Sequence, residues 1–267
     1  MEQKQVHFIG IGGTGLSAIA RVLLERGFTV TGSDRAMSPM AKSLQADGVR
    51  VEIGHRAENV AGAQMVVRSS AVPDDNVEVV AARRRGIPVL KRNEFLGSLL
   101  EGYFVIAVAG THGKTTTTAM IAWMLTHLGQ DPSYIVGGIL DNTGKNAHAG
   151  NGQAFVIEAD EYDRMFLGLS PSLAVITNIE HDHPDCYPTE ADYFTAFVEF
   201  ASHVGNDGTL LTCFNDRNAQ RLAEIASQRG QKVCSYSVLE AQDKPSDLGV
   251  DYAAYDLQSN QLGGMSW

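Results

Sequence analysis

YFVIAVAGTHGKTTTTAMIAWMLTHLG (103–129) runs from an apolar strand through a glycine-bounded turn into a helix. A strand that passes its backbone straight into a helix leaves a row of N–H groups at the helix N-terminus, which is a ready anion site. In GTHGKTT (110–116) successive amides can wrap the phosphates of a nucleotide, Lys114 can reach the β- and γ-oxygens, and Thr115 can ligate Mg2+. The candidate nucleotide site is therefore Gly110, Thr111, His112, Gly113, Lys114, Thr115 and Thr116. This loop is shorter than the common phosphate loop, because Val108 stands where the first glycine would fall.

The same rhythm occurs upstream. QVHFIG (5–10) reads as a buried strand, and after its glycines an apolar helical pattern runs to Leu24 and closes at Gly27. Helical stretches near 39–47 and 76–85 alternate with strand-like runs at 28–32, 50–53, 65–68 and 87–90. Downstream, FVIEAD, LAVITN, TLLTCF (209–214) and KVCSYS (232–237) are strands, with a helix over 216–228. Alternation of this kind requires crossovers and a mostly parallel sheet. The fold class is α/β: a Rossmann-like parallel-sheet domain over 1–101, then a phosphate-loop ATPase domain over 102–267. The tail, DYAAYDLQSNQLGGMSW, reads as the start of a hairpin turning at Gly263-Gly264.

Gly10, Gly12 and Gly15 satisfy G-x-G-x-x-G, and Asp34 ends the next strand 19 residues beyond Gly15. The spacing fits a dinucleotide site, and the physics fits any diphosphate, including that of a nucleotide sugar. At strand ends stand Glu158, Asp160 and Glu161, and then Asn178, Glu180, Asp182 and His183. Acids placed there, facing a bound triphosphate, are candidate metal ligands, and as a set they favour metal-assisted phosphoryl chemistry.

Composition narrows the class. The chain has 267 residues, 44% hydrophobic and 19% charged, enough to bury a core. With 21 basic against 31 acidic side chains, the net charge of −10 argues against a nucleic-acid partner. No apolar run approaches a membrane span and no signal segment opens the chain, so a cytoplasmic protein without a membrane partner is expected. Three cysteines without short spacing write neither a disulfide framework nor a zinc site. His7, His127 and the Arg83–Arg85 run read as core, boundary and solvated-face residues, and Cys186 lacks an identifiable base.

HFIGIGGTGLSAIA (7–20), TGSD (31–34), RSSAV (68–72), GTHGKTTTTAM (110–120), EADEYD (158–163) and TNIEHDHPDCY (177–187) together resemble the Mur ligases, ATP-dependent amide-forming enzymes of peptidoglycan synthesis. The resemblance implies that the first loop (Gly10, Gly12, Gly13, Thr14, Gly15, with Asp34, Ser69 and Ser70) grips UDP-N-acetylmuramate. It places Lys114 on the phosphates of ATP, and Thr115, Glu158 and His183 on a catalytic Mg2+ or Mn2+. Lys114, Glu158 and His183 are then the catalytic set. Within the family the pattern is that of the member that adds L-alanine. Several relatives carry a modified lysine that is absent here: no lysine occurs between Lys145 and Lys232, and Phe197 lies near its place. The member that joins a tripeptide in murein recycling is the alternative within the family. An NAD-dependent oxidoreductase, or a nucleotide-binding module without turnover, are the alternatives outside it. The family's third, amino-acid-holding domain and its adenine-contact segment have no counterpart in the sequence, so the resemblance implies an inactive fragment.

Overall fold

The computed structural model describes residues 4–239, 249–255, 257–259, 265 and 266. In chain order the elements are β1 (Gln5–Ile9), α1 (Thr14–Glu25), β2 (Thr29–Asp34), α2 (Pro39–Ala46), β3 (Arg50–Ile53), β4 (Met65–Arg68), α3 (Val77–Arg84), β5 (Val89–Lys91) and α4 (Arg92–Leu99). They continue as β6 (Phe104–Ala109), α5 (Lys114–His127), β7 (Ser133–Leu140), β8 (Lys145–His148), β9 (Ala154–Glu158), β10 (Leu173–Ile176), α6 (Glu190–Ser202), β11 (Thr209–Cys213), α7 (Arg217–Gln228), β12 (Lys232–Val238), β13 (Tyr252–Ala254), β14 (Gln258–Ser259) and β15 (Met265–Ser266). The chain groups into two compact units, Met1–Val105 with Thr115–Glu158, and Ile106–Lys114 with Ala159–Trp267.

In the first unit a five-stranded parallel sheet has the order β3-β2-β1-β4-β5. The order reverses beside β1, so the ends of β1 and β4 flank a switch point where ligands collect in doubly wound sheets. Phe8, Ile9, Ile19 and Val22 are fully buried at its centre, as β1 and α1 both present apolar faces to the sheet interior. The same unit holds β7, paired parallel with β9 and antiparallel with β8. Glu25 on α1 ties this ribbon down, accepting from Lys145 Nζ, His148 Nδ1 and the Ala149 N–H, each at 2.8 Å.

In the second unit the strands run β13-β12-β11-β10-β6, all parallel. The α/β class with parallel sheets is as the sequence implies. Thr189 and Asp192 form a capping box that starts α6. Asp216 caps α7, accepting from Ala219 N–H at 2.7 Å and also from Ile179 N–H at 3.2 Å, which anchors the turn after β10. Phe197 is fully buried against Phe166 and Tyr193, at centroid distances of 5.3 and 5.2 Å.

The tail corrects one expectation. Tyr252–Ala254 does not open a hairpin; it pairs parallel with β12 as an edge strand. Alternating apolar and polar residues mark a half-buried strand and carry no information on the direction of its partner. A short antiparallel ladder does follow, Gln258 opposite Ser266 and Ser259 opposite Met265, while the Gly263-Gly264 turn lies outside the described residues. No helix among the described residues is long and apolar enough to cross a membrane.

Candidate functional site

The first glycine loop begins where β1 ends. Gly10 adopts φ +87°, and a Cβ there would sit 3.2 Å from Ser69 Cβ, so a side chain would crowd the switch point. Gly12 donates its N–H to Asp34 Oδ2 at 2.8 Å, while the Ser38 hydroxyl donates to Gly12 O at 2.9 Å. Asp34 Oδ1 accepts from Arg35 N–H at 2.7 Å, so both its oxygens are engaged within the unit. A cavity of about 390 Å3 opens over this loop, lined among others by Gly10, Gly12, Gly13, Asp34, His55 and Ser69. Of the residues expected here, Thr14, Gly15 and Ser70 are not among its lining; Gly15 instead packs under the Arg92 guanidinium.

Beneath the cavity lies a carboxylate that sequence reasoning missed. Glu78 is fully buried and accepts from Ser33 Oγ at 2.6 Å, Asn59 Nδ2 at 2.5 Å and Arg56 N–H at 3.2 Å. His7 Nε2 and His55 Nδ1 each lie 3.5 Å from its Oε2. Burial pushes the carboxyl up, but His7, Ser33 and Asn59 outweigh it and hold Glu78 down at about 2. It is thus an anion at neutral pH, with His55 Nδ1 beside it at the cavity wall. The only cue in the sequence is an acid in the first turn of a helix, where acids are ordinary.

The second loop is stitched to the turn after β10. Gly110 adopts φ +138°, and a Cβ would reach 2.9 Å from Asn178 O. The Thr111 hydroxyl donates to Glu180 O at 2.7 Å, and Asn178 both accepts from His112 N–H at 2.9 Å and donates to His112 O at 3.0 Å. Lys114 Nζ donates to Gly110 O at 2.6 Å, Thr111 O at 3.2 Å and Glu161 Oε1 at 2.9 Å. Glu161 is fully buried; its Oε1 also accepts from Tyr193 OH at 3.3 Å, and its Oε2 has no hydrogen-bond partner among the described residues. Burial raises the Glu161 carboxyl above the usual range, with Lys114 opposing. Burial likewise pushes the Tyr193 phenol well up, so it remains a donor at neutral pH. His183, at φ +54°, turns Nε2 to 3.6 Å from Glu161 Oε1 and 3.7 Å from Asp182 Oδ2.

In the first unit, Thr115 Oγ1 donates to Glu158 Oε1 at 3.0 Å and Gly137 N–H to Glu158 Oε2 at 2.7 Å. A hydroxyl and a carboxylate side by side at a helix N-terminus are hard oxygen donors of the kind Mg2+ takes when phosphates and water complete its shell. Thr116 is exposed beside them. Among the described residues no three His, Cys, Asp or Glu side chains cluster closely enough to hold a metal on their own.

Two family patterns match the chain: the Mur ligase family, catalytic domain, over residues 5–104, and the Mur ligase middle domain, over residues 108–263. The chain is 48% identical over 248 residues to a UDP-N-acetylmuramate–L-alanine ligase of Thermobifida fusca, covering 92% of this chain and 52% of that protein. It is 50% identical over 222 residues to the protein of that name in Rubrobacter xylanophilus, covering 83% and 50%. The chain therefore spans about half the length of the curated relatives it matches. Among solved structures, a UDP-N-acetylmuramate:L-alanyl-γ-D-glutamyl-meso-diaminopimelate ligase from Neisseria meningitides aligns with TM-score 0.80 at 30% identity, over 90% of this chain and 82% of that one. A UDP-N-acetylmuramate-alanine ligase from Thermotoga maritima aligns with TM-score 0.75 at 32% identity, over 88% and 53%. Two adjoining family patterns that together run through most of the residues, with relatives at this identity, leave one assignment: the chain belongs to the Mur ligase family.

Proposed function

We propose that the chain carries the nucleotide-sugar and ATP sites of a ligase that joins L-alanine to UDP-N-acetylmuramate. Residues 1–101 hold the nucleotide sugar and residues 102–267 the ATP. The observation that carries this reading is the Lys114 loop, stitched to the turn after β10, in a chain 48% identical to a named alanine ligase.

The chemistry assigned to these residues is charge neutralisation and alignment. Loop amides from Gly110 to Thr116 and the Lys114 ammonium bind the triphosphate. The lactoyl carboxylate of the sugar attacks the γ-phosphorus, forming an O–P bond as the β–γ bridge breaks and ADP leaves. The alanine amine then attacks the acyl carbon, loses a proton, and expels phosphate. Mg2+ supplies further charge neutralisation when bound, and Thr115, Glu158 and His183 are the residues that would hold it. Holding the two reactants in line is worth roughly 7–11 kcal/mol, the reason for joining two such sites in one chain.

The tripeptide-adding ligase is the second reading, favoured by the TM-score of 0.80 to the Neisseria protein. Titration calorimetry tests the first site: UDP-N-acetylmuramate should bind more tightly than NAD, and the reverse order overturns the nucleotide-sugar reading. A chimera completed with the second half of the Thermobifida fusca relative tests the reaction. Offered equal L-alanine and tripeptide, it should accumulate UDP-N-acetylmuramoyl-alanine by mass spectrometry; tripeptide product in excess assigns the recycling reaction instead.

A further inference from the structure

We propose that Glu161 is a positioning residue that masks Lys114 in the nucleotide-free chain, so that phosphate binding requires the lysine to leave a buried carboxylate. The proposal rests on the reading of residues 110–116 as a phosphate loop. A lysine has three N–H donors. Gly110 O, Thr111 O and Glu161 Oε1 accept from Lys114, at 2.6, 3.2 and 2.9 Å, which accounts for three donors with acceptors of the protein itself. To reach a phosphate oxygen the ammonium must surrender at least one of them.

Glu161 is the partner that matters most. It is the charged one, it has no exposed surface, and with donor and acceptor both ionised its bond is the strongest of the three. It is also locked in place. Tyr187 OH donates to the Glu161 carbonyl at 2.5 Å, Tyr193 OH reaches Oε1 at 3.3 Å, and the two rings meet edge to face at 5.1 Å. Tyr193 OH also lies 3.0 Å from Thr111 Oγ1, an alternative acceptor for its single proton because the Thr111 proton goes to Glu180 O, so the wall that holds the carboxylate borders the phosphate loop. The other cation-capable group facing it is His183, 3.6 Å away. A fixed anion bound to the loop's own lysine competes with any incoming anion for the same donor. Through this contact Glu161 sets how tightly the loop takes a triphosphate.

The test is calorimetric titration of the chain with ATP and with inorganic tripolyphosphate, which needs no contact to a base. Glu161→Gln keeps the shape and an acceptor but removes the charge, and should bind both probes about 10-fold more tightly. Glu161→Asp keeps the charge but withdraws it by one methylene, and should also bind more tightly, by about 3-fold. In a Lys114→Ala background, Glu161→Gln should tighten binding by less than about 3-fold, because there is no lysine left to release. Unchanged or weaker binding by Glu161→Gln overturns the masking. Equal tightening in both backgrounds overturns it too, by showing plain charge repulsion. If Glu161→Gln does not fold by circular dichroism, the aspartate variant decides with the same expected sign. If neither probe binds wild type or any variant, the phosphate-loop reading fails and the masking with it.

Discussion

Glu78 and Glu161 are both buried carboxylates, each lying behind a glycine loop, and their environments are opposite. Glu78 accepts from the Ser33 hydroxyl, the Asn59 amide and the Arg56 N–H, and the rings of His7 and His55 lie 3.5 Å away. Its carboxyl is held at about 2. Glu161 has Lys114 and the Tyr193 phenol on Oε1, with the His183 ring 3.6 Å from that same oxygen, and no hydrogen-bond partner on Oε2 among the described residues; burial raises its carboxyl. A carboxylate satisfied on both oxygens by its own fold is a structural part. One left half-satisfied in the interior keeps capacity for a further partner, and such groups concentrate at functional sites.

The strongest way to break the comparison is at the cation. Lys114→Ala removes the ammonium from the second loop and should leave the first untouched. In the completed chimera, turnover should fall on the order of 10²–10³-fold, the scale of losing one preorganised electrostatic partner. UDP-N-acetylmuramate affinity should be unchanged by calorimetry. Near-normal turnover would show that the second loop is not where phosphoryl charge is stabilised.

The next effect is thermodynamic and has a definite sign. The Glu78 carboxyl is lowered from 4.5 to about 2 on folding, so its contribution is fully present above pH 4.5 and is lost as pH falls toward 2. That shift corresponds to a contribution on the order of 3 kcal/mol at neutral pH. Urea unfolding should therefore find Glu78→Gln less stable than wild type by that order at pH 7, and the gap should narrow between pH 4.5 and 2. Glu161→Gln should cost less than Glu78→Gln at pH 7, since burial already raises the Glu161 carboxyl and its charge adds little net stability there. A pH-independent gap for Glu78→Gln would mean that packing, not charge, makes the residue matter.

How much of this was legible follows from what each feature writes into the sequence. Gly10, Gly12 and Gly113 sit in turns between an apolar strand and a helix, Lys114 opens the second of those helices, and such turns have few alternatives. Phe197 was placed by the absence of lysine, and it is core. Glu78 left no such mark, because NVEVVAARRR reads as an ordinary capped helix and only the tertiary fold brings Ser33 and Asn59 to it. Glu161 was visible as one of several acids at a strand end. Its burial was not visible, because Tyr187 and Tyr193 arrive from a distant turn and helix. The tail was half legible: Gln258–Ser259 and Met265–Ser266 pair antiparallel on either side of Gly263-Gly264, while the polarity of DYAA is the same whether its neighbour runs parallel or antiparallel.

The smallest predicted effects separate the two loops at their glycines. Gly12 and Gly113 look alike in sequence but are required for different reasons. Gly113 has φ +80° and open space where a Cβ would stand, so its demand is purely backbone. An L side chain held in the left-handed region costs roughly 1–2 kcal/mol, and asparagine, whose amide hydrogen-bonds locally, costs less than alanine. Gly12 is not in that region; a Cβ there would lie 2.7 Å from Ser38 Oγ and 2.9 Å from Asp34 Oδ2, the side chains bonded to its own carbonyl and N–H. Its demand is steric, so a larger residue is worse regardless of backbone preference, at about 1–3 kcal/mol. Urea midpoints should therefore rank Gly113→Asn above Gly113→Ala, and Gly12→Ala above Gly12→Asn. The Gly12 variants should also lose affinity for UDP-N-acetylmuramate, because the Asp34 and Ser38 bonds that shape the cavity must open to admit them. The same rank order at both positions would show that the two loops need glycine for a single reason, and the distinction drawn between them would fail.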